Sequence, residues 1–170
     1  MRPLRICIDT NIWLDYIERK TGAEKSKKLL QLLTHVRSPH KIILPKILYL
    51  EIMYKLIEIR KENYLITHGY SSFDLKSPNG KEIKFKTKLP RKEMKKVEEI
   101  LTEIENSDKI EIISEAIDFD RIEFLVKQEF ELMDSMILVQ VADGKADYFV
   151  TRDKMVRKIN EINQDWIKLK

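Results

Sequence analysis

Ile6-Cys7-Ile8-Asp9-Thr10-Asn11-Ile12-Trp13-Leu14 changes character halfway along. Up to Ile8 it continues a short, β-branched apolar run that starts at Leu4, which predicts a buried strand. Asp9, Thr10 and Asn11 then supply residues that favour a helix start, and Ile12, Trp13, Leu14, Tyr16 and Ile17 follow at helical spacing. A strand that passes through an acid into a helix is a building block of parallel α/β sheets.

The same alternation continues outward. Helical spacing covers residues 23–36, where Leu29, Leu30, Leu33 and Val36 share a face and Pro39 follows. Ile42-Ile43-Leu44 predicts a second strand, and Pro45 fits the first turn of a helix running to about residue 64. Further helices are expected at about 91–106, 115–128 and 131–143, and from Asp153 to about 162. Strands are expected at 110–113 and 148–150, with a fifth, edge strand at 166–169. The expected fold is therefore a single α/β domain over residues 1–170 with a mainly parallel sheet. Residues 65–91 interrupt the pattern with Gly69, Pro78, Gly80 and Pro90. Phe73 and Leu75 alternate before Ser77-Pro78-Asn79-Gly80, and Ile83 and Phe85 alternate after it, so this stretch reads as an inserted β-hairpin or ordered loop.

Composition narrows the function. A single cysteine, Cys7, excludes an internal disulfide framework and any multi-cysteine zinc site. No apolar stretch is long enough to span a bilayer, and MRPLRICID has no secretory h-region. A cytoplasmic protein without membrane association is the expectation. The three histidines, His35, His40 and His68, show no ligand spacing.

Four acids stand out. Asp9 ends the first strand, Asp153 follows the fourth through Thr151-Arg152, and Glu51 and Asp134 fall on or beside apolar helical stripes. Each has a plainer reading, as a cap for Asp9, Asp134 and Asp153 and as a solvated stripe edge for Glu51. In open α/β sheets, however, ligands bind outside the carboxyl ends of the strands. Carboxylates gathered there suit a hard divalent cation such as Mg²⁺ or Mn²⁺. Such an ion beside a phosphodiester favours hydrolysis.

These residues resemble the PIN domain family. The resemblance rests on Ile6 to Leu14, on Glu51 in the middle of its proline-started helix, on Met133-Asp134-Ser135-Met136-Ile137-Leu138, and on Ala146-Asp147-Tyr148-Phe149-Val150-Thr151-Arg152-Asp153, in that order. It implies a Rossmann-like, three-layer α/β/α fold with a five-stranded parallel sheet. It also implies a Mg²⁺- or Mn²⁺-dependent endoribonuclease, in many small prokaryotic members a VapC-type toxin held by an antitoxin, and in many a homodimer. Asp9, Glu51, Asp134 and Asp153 match the family's acidic, metal-binding positions, with Asp9 and Asp134 as principal ligands. Thr10, Asn11 and Thr151 match the supporting polar positions. The sequence departs from minimal toxins in its longer stretch over residues 60–96, and Lys154 and Met155, not a second acid, follow Asp153. A non-catalytic PIN-like module that binds RNA or a protein is the second reading. A haloacid dehalogenase-type phosphatase is disfavoured because Asn11 stands where its second Asp would be.

The formal charge of +4 is unevenly spread. Residues 60–96 hold eleven Lys and Arg against four acids, a surplus of seven, interleaved with Tyr64, Tyr70, Phe73 and Phe85. Lys81, Lys84, Lys86, Lys88, Arg91 and Lys92 are the expected RNA contacts, since cations neutralise phosphates and aromatic faces stack on bases.

Overall fold

In a computed structural model, residues 2–18, 23–114, 116–153, 158, 159 and 162 are described. The chain divides into two compact units, one comprising Met1–Leu50 and Ser107–Lys170, the other Glu51–Asn106.

The first unit is built on four parallel strands: β1 (Arg5–Ile8), β2 (Lys41–Pro45), β3 (Ile110–Ile113) and β4 (Tyr148–Val150). Their order is β3-β2-β1-β4. Helices α1 (Thr10–Ile17) and α2 (Glu24–Thr34) connect β1 to β2, while α6 (Phe119–Lys127) and α7 (Leu132–Asp143) connect β3 to β4. The chain thus steps one way from β1 to β2 and returns across the whole sheet from β3 to β4. Because parallel crossovers are right-handed, opposite directions of travel put the two helix pairs on opposite faces. Accordingly α2 and α7 both pack on β2, and Ile42, Ile43 and Leu44 are fully buried. Burial on both faces explains why these strands read as continuous apolar runs. The result is the α/β/α arrangement expected from the sequence, with four strands among the described residues. The expected fifth strand at 166–169 and the helix start after Asp153 lie outside the described residues.

The edge strand β3 carries the exposed Glu111, which pairs with Arg5 at 2.9 Å, a charge that discourages further strand addition. Two boundaries differ from the sequence reading. Pro45 closes β2 opposite Ile113 instead of entering the next helix, and α6 starts at Phe119 because Asp118 caps it by accepting a hydrogen bond from the Arg121 amide.

The second unit is helical. It holds most of α3 (Lys46–Thr67), a 3₁₀ turn at Asp74–Lys76, α4 (Pro78–Lys86) and α5 (Arg91–Glu105). The hairpin expected within residues 65–91 is not there. Ser77 caps α4 by accepting from the Gly80 amide at 3.1 Å, and Pro78 occupies the first turn, where a missing N–H costs nothing. Asn79-Gly80 therefore belongs to a helix start and not to a strand-to-strand turn. Gly80 is required there for space: a Cβ would lie 2.1 Å from the Asp74 carbonyl oxygen. Among the described residues no helix is long and apolar enough to cross a membrane.

Candidate active site at the β1–β4 strand ends

The strand order reverses between β1 and β4, since the chain leaves β1 in one direction and returns to its other side last. Crevices of doubly wound sheets open at such a reversal. Asp9 follows β1 there. Its amide donates to the Val150 carbonyl at 2.9 Å, extending the β1–β4 ladder by one bond. Its own carbonyl accepts from the amides of Ile12 (3.0 Å) and Trp13 (3.3 Å), starting α1. Its side chain makes no capping bond. The carboxylate accepts instead from the Thr151 hydroxyl at 2.7 Å. Asp9 is thus the N-cap of α1 by position, but its carboxylate makes no capping bond and is engaged by Thr151.

Asp9 is only 6% exposed, and among the described residues no Lys or Arg pairs with it. A buried anion with one neutral partner is under-compensated, although the α1 N-terminus gives some relief. Its field also reaches Cys7, whose thiol is pushed far up, first by burial and then by the Asp9 charge. Both effects disfavour the thiolate that metal binding or nucleophilic attack requires. The remaining donors are oxygens, which suits a hard divalent cation that retains water and needs only one or two carboxylates.

Thr151 links two acids. Its hydroxyl donates to Asp9, and the hydroxyl oxygen accepts from the Asp153 amide at 2.9 Å, so Asp153 is hooked to the end of β4 while its side chain is exposed. Thr10 is buried at the start of α1, and Asn11 is exposed. Asp134 is half-buried in the first turn of α7, where the helix dipole favours an anion. Glu51 is half-buried on α3 and opens the second unit. Among the described residues, no group of three or more His, Cys, Asp and Glu is placed to hold a metal ion. The structure thus joins Asp9, Thr151 and the Asp153 backbone.

A second buried acid escaped the sequence reading. Asp15, on α1, is 5% exposed, accepts from the Ser26 hydroxyl at 3.1 Å, and pairs with Arg152. Arg152 also donates to the Asn11 carbonyl at 3.2 Å. The segment carrying Thr151 and Asp153 is thereby clamped to α1. Asn11 and Glu18 stand one turn before and after Asp15, so its helical face reads as polar and no local signal singled it out.

The basic residues of the second unit fall into two groups. Lys84 pairs with Glu62 at 3.6 Å and Lys86 with Glu82 at 2.5 Å. Lys81, Lys88 and Arg91 are exposed and, among the described residues, have no anionic partner, while the exposed Lys92 acts on Glu93. The local field is positive: Glu93 is held below the usual carboxylate range by a hydrogen bond from Lys96 and by the charges of Lys96, Arg60 and Lys92. Phe73 and Phe85 are 85% and 84% exposed, so neither packs the insertion onto a core.

The PIN domain family model matches residues 6–162. PIN domains are in general divalent-metal-dependent nucleases. Among solved structures, the chain is similar to one in VapBC2 from Rickettsia felis bound to a DNA fragment from their promoter. The TM-score is 0.51 and the identity 15%, over 91% of this chain and 92% of that one. At that identity the likeness concerns the fold. No curated protein matches the chain significantly.

Proposed function

The chain belongs to the PIN domain family, and on that premise we propose that it is a Mg²⁺- or Mn²⁺-dependent endoribonuclease. The observation that carries this reading is the Asp9 carboxylate, buried at the strand reversal, bonded to Thr151 and lacking a cation among the described residues. In the proposal, Asp9 and Asp134 are the principal metal ligands and Asp153 completes the set directly or through water. Glu51 is carried by the resemblance alone. When bound, the ion supplies Lewis-acid polarisation of the phosphoryl group and a more acidic water. The chain's own residues prepare for that step. The Thr151 hydroxyl fixes one Asp9 oxygen and leaves the other lone pairs available. The Asp15–Arg152 clamp holds Thr151 in place, and one carboxylate accepts the proton of the attacking water. Products with 5′-phosphate and 3′-hydroxyl ends are what the resemblance to PIN-domain nucleases implies.

The biological role we propose is that of a VapC-like toxin restrained by an antitoxin, with a homodimer as the working assembly and the cytoplasm as its location. Finding a small DNA-binding protein encoded immediately upstream would support the toxin role, and finding none would favour a stand-alone RNA-processing enzyme. RNA cleavage in Mg²⁺ or Mn²⁺, set against EDTA, tests the activity. Asp9→Asn and Asp134→Asn should each remove it, and unchanged cleavage by both would refute the site.

One observation favours a second reading, a PIN-like module that binds RNA without cutting it: among the described residues no three acids are grouped for a metal. Metal-independent RNA binding with no turnover on any substrate would establish that alternative.

A further inference from the structure

A cavity of about 320 Å³ lies within the second unit, between the 3₁₀ turn and the start of α4. Its size falls at the lower end of small-ligand sites, roughly 300–1,000 Å³. Leu75, fully buried, and Ile83 give it an apolar floor, and Tyr70, 40% exposed, offers an aromatic wall. The polar groups are few and distinct. One Asp74 carboxylate oxygen accepts from the Ser71 hydroxyl at 2.6 Å, and the other has no partner among the described residues. The Asn79 amide, in the first turn of α4, is likewise without a partner among the described residues. The Ser77 hydroxyl is already used, donating to the Asp74 carbonyl and accepting from the Gly80 amide.

An apolar floor, an aromatic wall, an outward carboxylate oxygen and a primary amide suit a planar group with adjacent N–H donors. Two biological groups fit that description, a guanine base and an arginine side chain. Charge decides between them. Lys76 and Lys81, both exposed and without anionic partners among the described residues, flank the lining residues in the chain, and residues 60–96 carry a surplus of seven positive charges. That field repels a basic peptide and attracts the phosphates on either side of a nucleotide. We propose that this cavity is a subsite for one unpaired guanine of the RNA strand. Tyr70 stacks on the base, the free Asp74 oxygen accepts from its N1–H and N2–H₂ edge, Asn79 bonds a remaining polar edge, and Lys76 and Lys81 meet the flanking phosphates. Adenine and cytosine present a ring-nitrogen acceptor to the carboxylate where guanine presents a donor, so the site discriminates against them.

This inference takes RNA as the polymer from the nuclease reading, but it is tested without catalysis. Full-length protein in EDTA is titrated with fluorescent single-stranded RNA hexamers, all uridine or with one central guanosine, and binding is read by anisotropy. The guanosine hexamer should bind about tenfold tighter. Asp74→Asn and Asn79→Ala should shrink that preference, and Tyr70→Ala should weaken binding at least about fivefold. Equal affinity for the two hexamers, or a preference untouched by both Asn79→Ala and Tyr70→Ala, would overturn the subsite. So would an arginine-containing peptide that competes for the guanosine hexamer. Loss of metal-dependent cleavage with a retained guanine preference would refute the nuclease reading alone.

Discussion

The strand ends of the first unit and the α4 region of the second use charge in opposite ways. At the strand ends the charged groups are few, and the two buried acids are fixed by one or two bonds each: Asp9 to Thr151, and Asp15 to Ser26 and Arg152. Around α4 they are many and exposed, and Lys84 and Lys86 are already neutralised by neighbouring glutamates. A buried group that lacks compensation is poised for chemistry, because in its surroundings an added cation or proton changes the energy strongly. Exposed charges are screened by salt and act together, through attraction and release of counterions. On the proposed function, the first region would carry the reaction and the second would hold the polyanion.

The largest effects should therefore come from the strand ends. Asp9→Asn keeps the side chain's size and its bond to Thr151 but removes the anion, and should lower cleavage by at least about 100-fold in a steady-state assay. Thr151→Val removes the hydroxyl that orients Asp9 and hooks Asp153, and should cost about 10–100-fold, the range typical of groups that orient metal ligands. An Asp9→Asn enzyme as active as wild type would erase the contrast between the regions.

Next comes the clamp. Arg152→Met leaves Asp15 buried with Ser26 as its remaining partner among the described residues, and should destabilise the fold by about 1–3 kcal/mol in urea unfolding. Because Arg152 is itself half-exposed, the loss should fall short of that for a fully buried pair. Pairing it with Asp15→Asn should recover part of the stability, and no recovery would show that the two side chains are not coupled.

The smallest effects belong to single lysines. Neutralising Lys88 should weaken RNA binding and lower the salt slope by about 0.7, as for one phosphate contact on a single strand. Lys86→Ala should change it less, since Glu82 already engages that ammonium. Equal effects at the two positions would mean that the internal pairing does not matter for binding.

The division between what the sequence disclosed and what it hid follows from range. β1, Asp9 and α1 were legible because strand, acid and helix start are contiguous, and β2, β3 and β4 because short β-branched runs are distinctive. The position of Thr151 was legible as well, but not its bond to Asp9, which joins residues 142 apart. The Asp15–Arg152 pair spans 137 residues, beyond any local pattern. α4 was misread for a different reason. Ile83 and Phe85 sit two apart, a spacing that suits a strand, and Asn79-Gly80 suits a hairpin turn, yet the Ser77-Pro78 helix start prevailed because Gly80 fits closely against Asp74. The exposure of Phe85 shows that the alternation there was not the imprint of a buried face.

Direct measurement of Mn²⁺ binding by electron paramagnetic resonance, on the full-length protein without RNA, tests the central claim that the buried Asp9 carboxylate is part of a metal centre. Wild type should bind Mn²⁺, Asp9→Asn should bind it at least about tenfold more weakly, and Lys88→Ala should match wild type. Identical Mn²⁺ binding by wild type and Asp9→Asn, or none by wild type, would contradict the account.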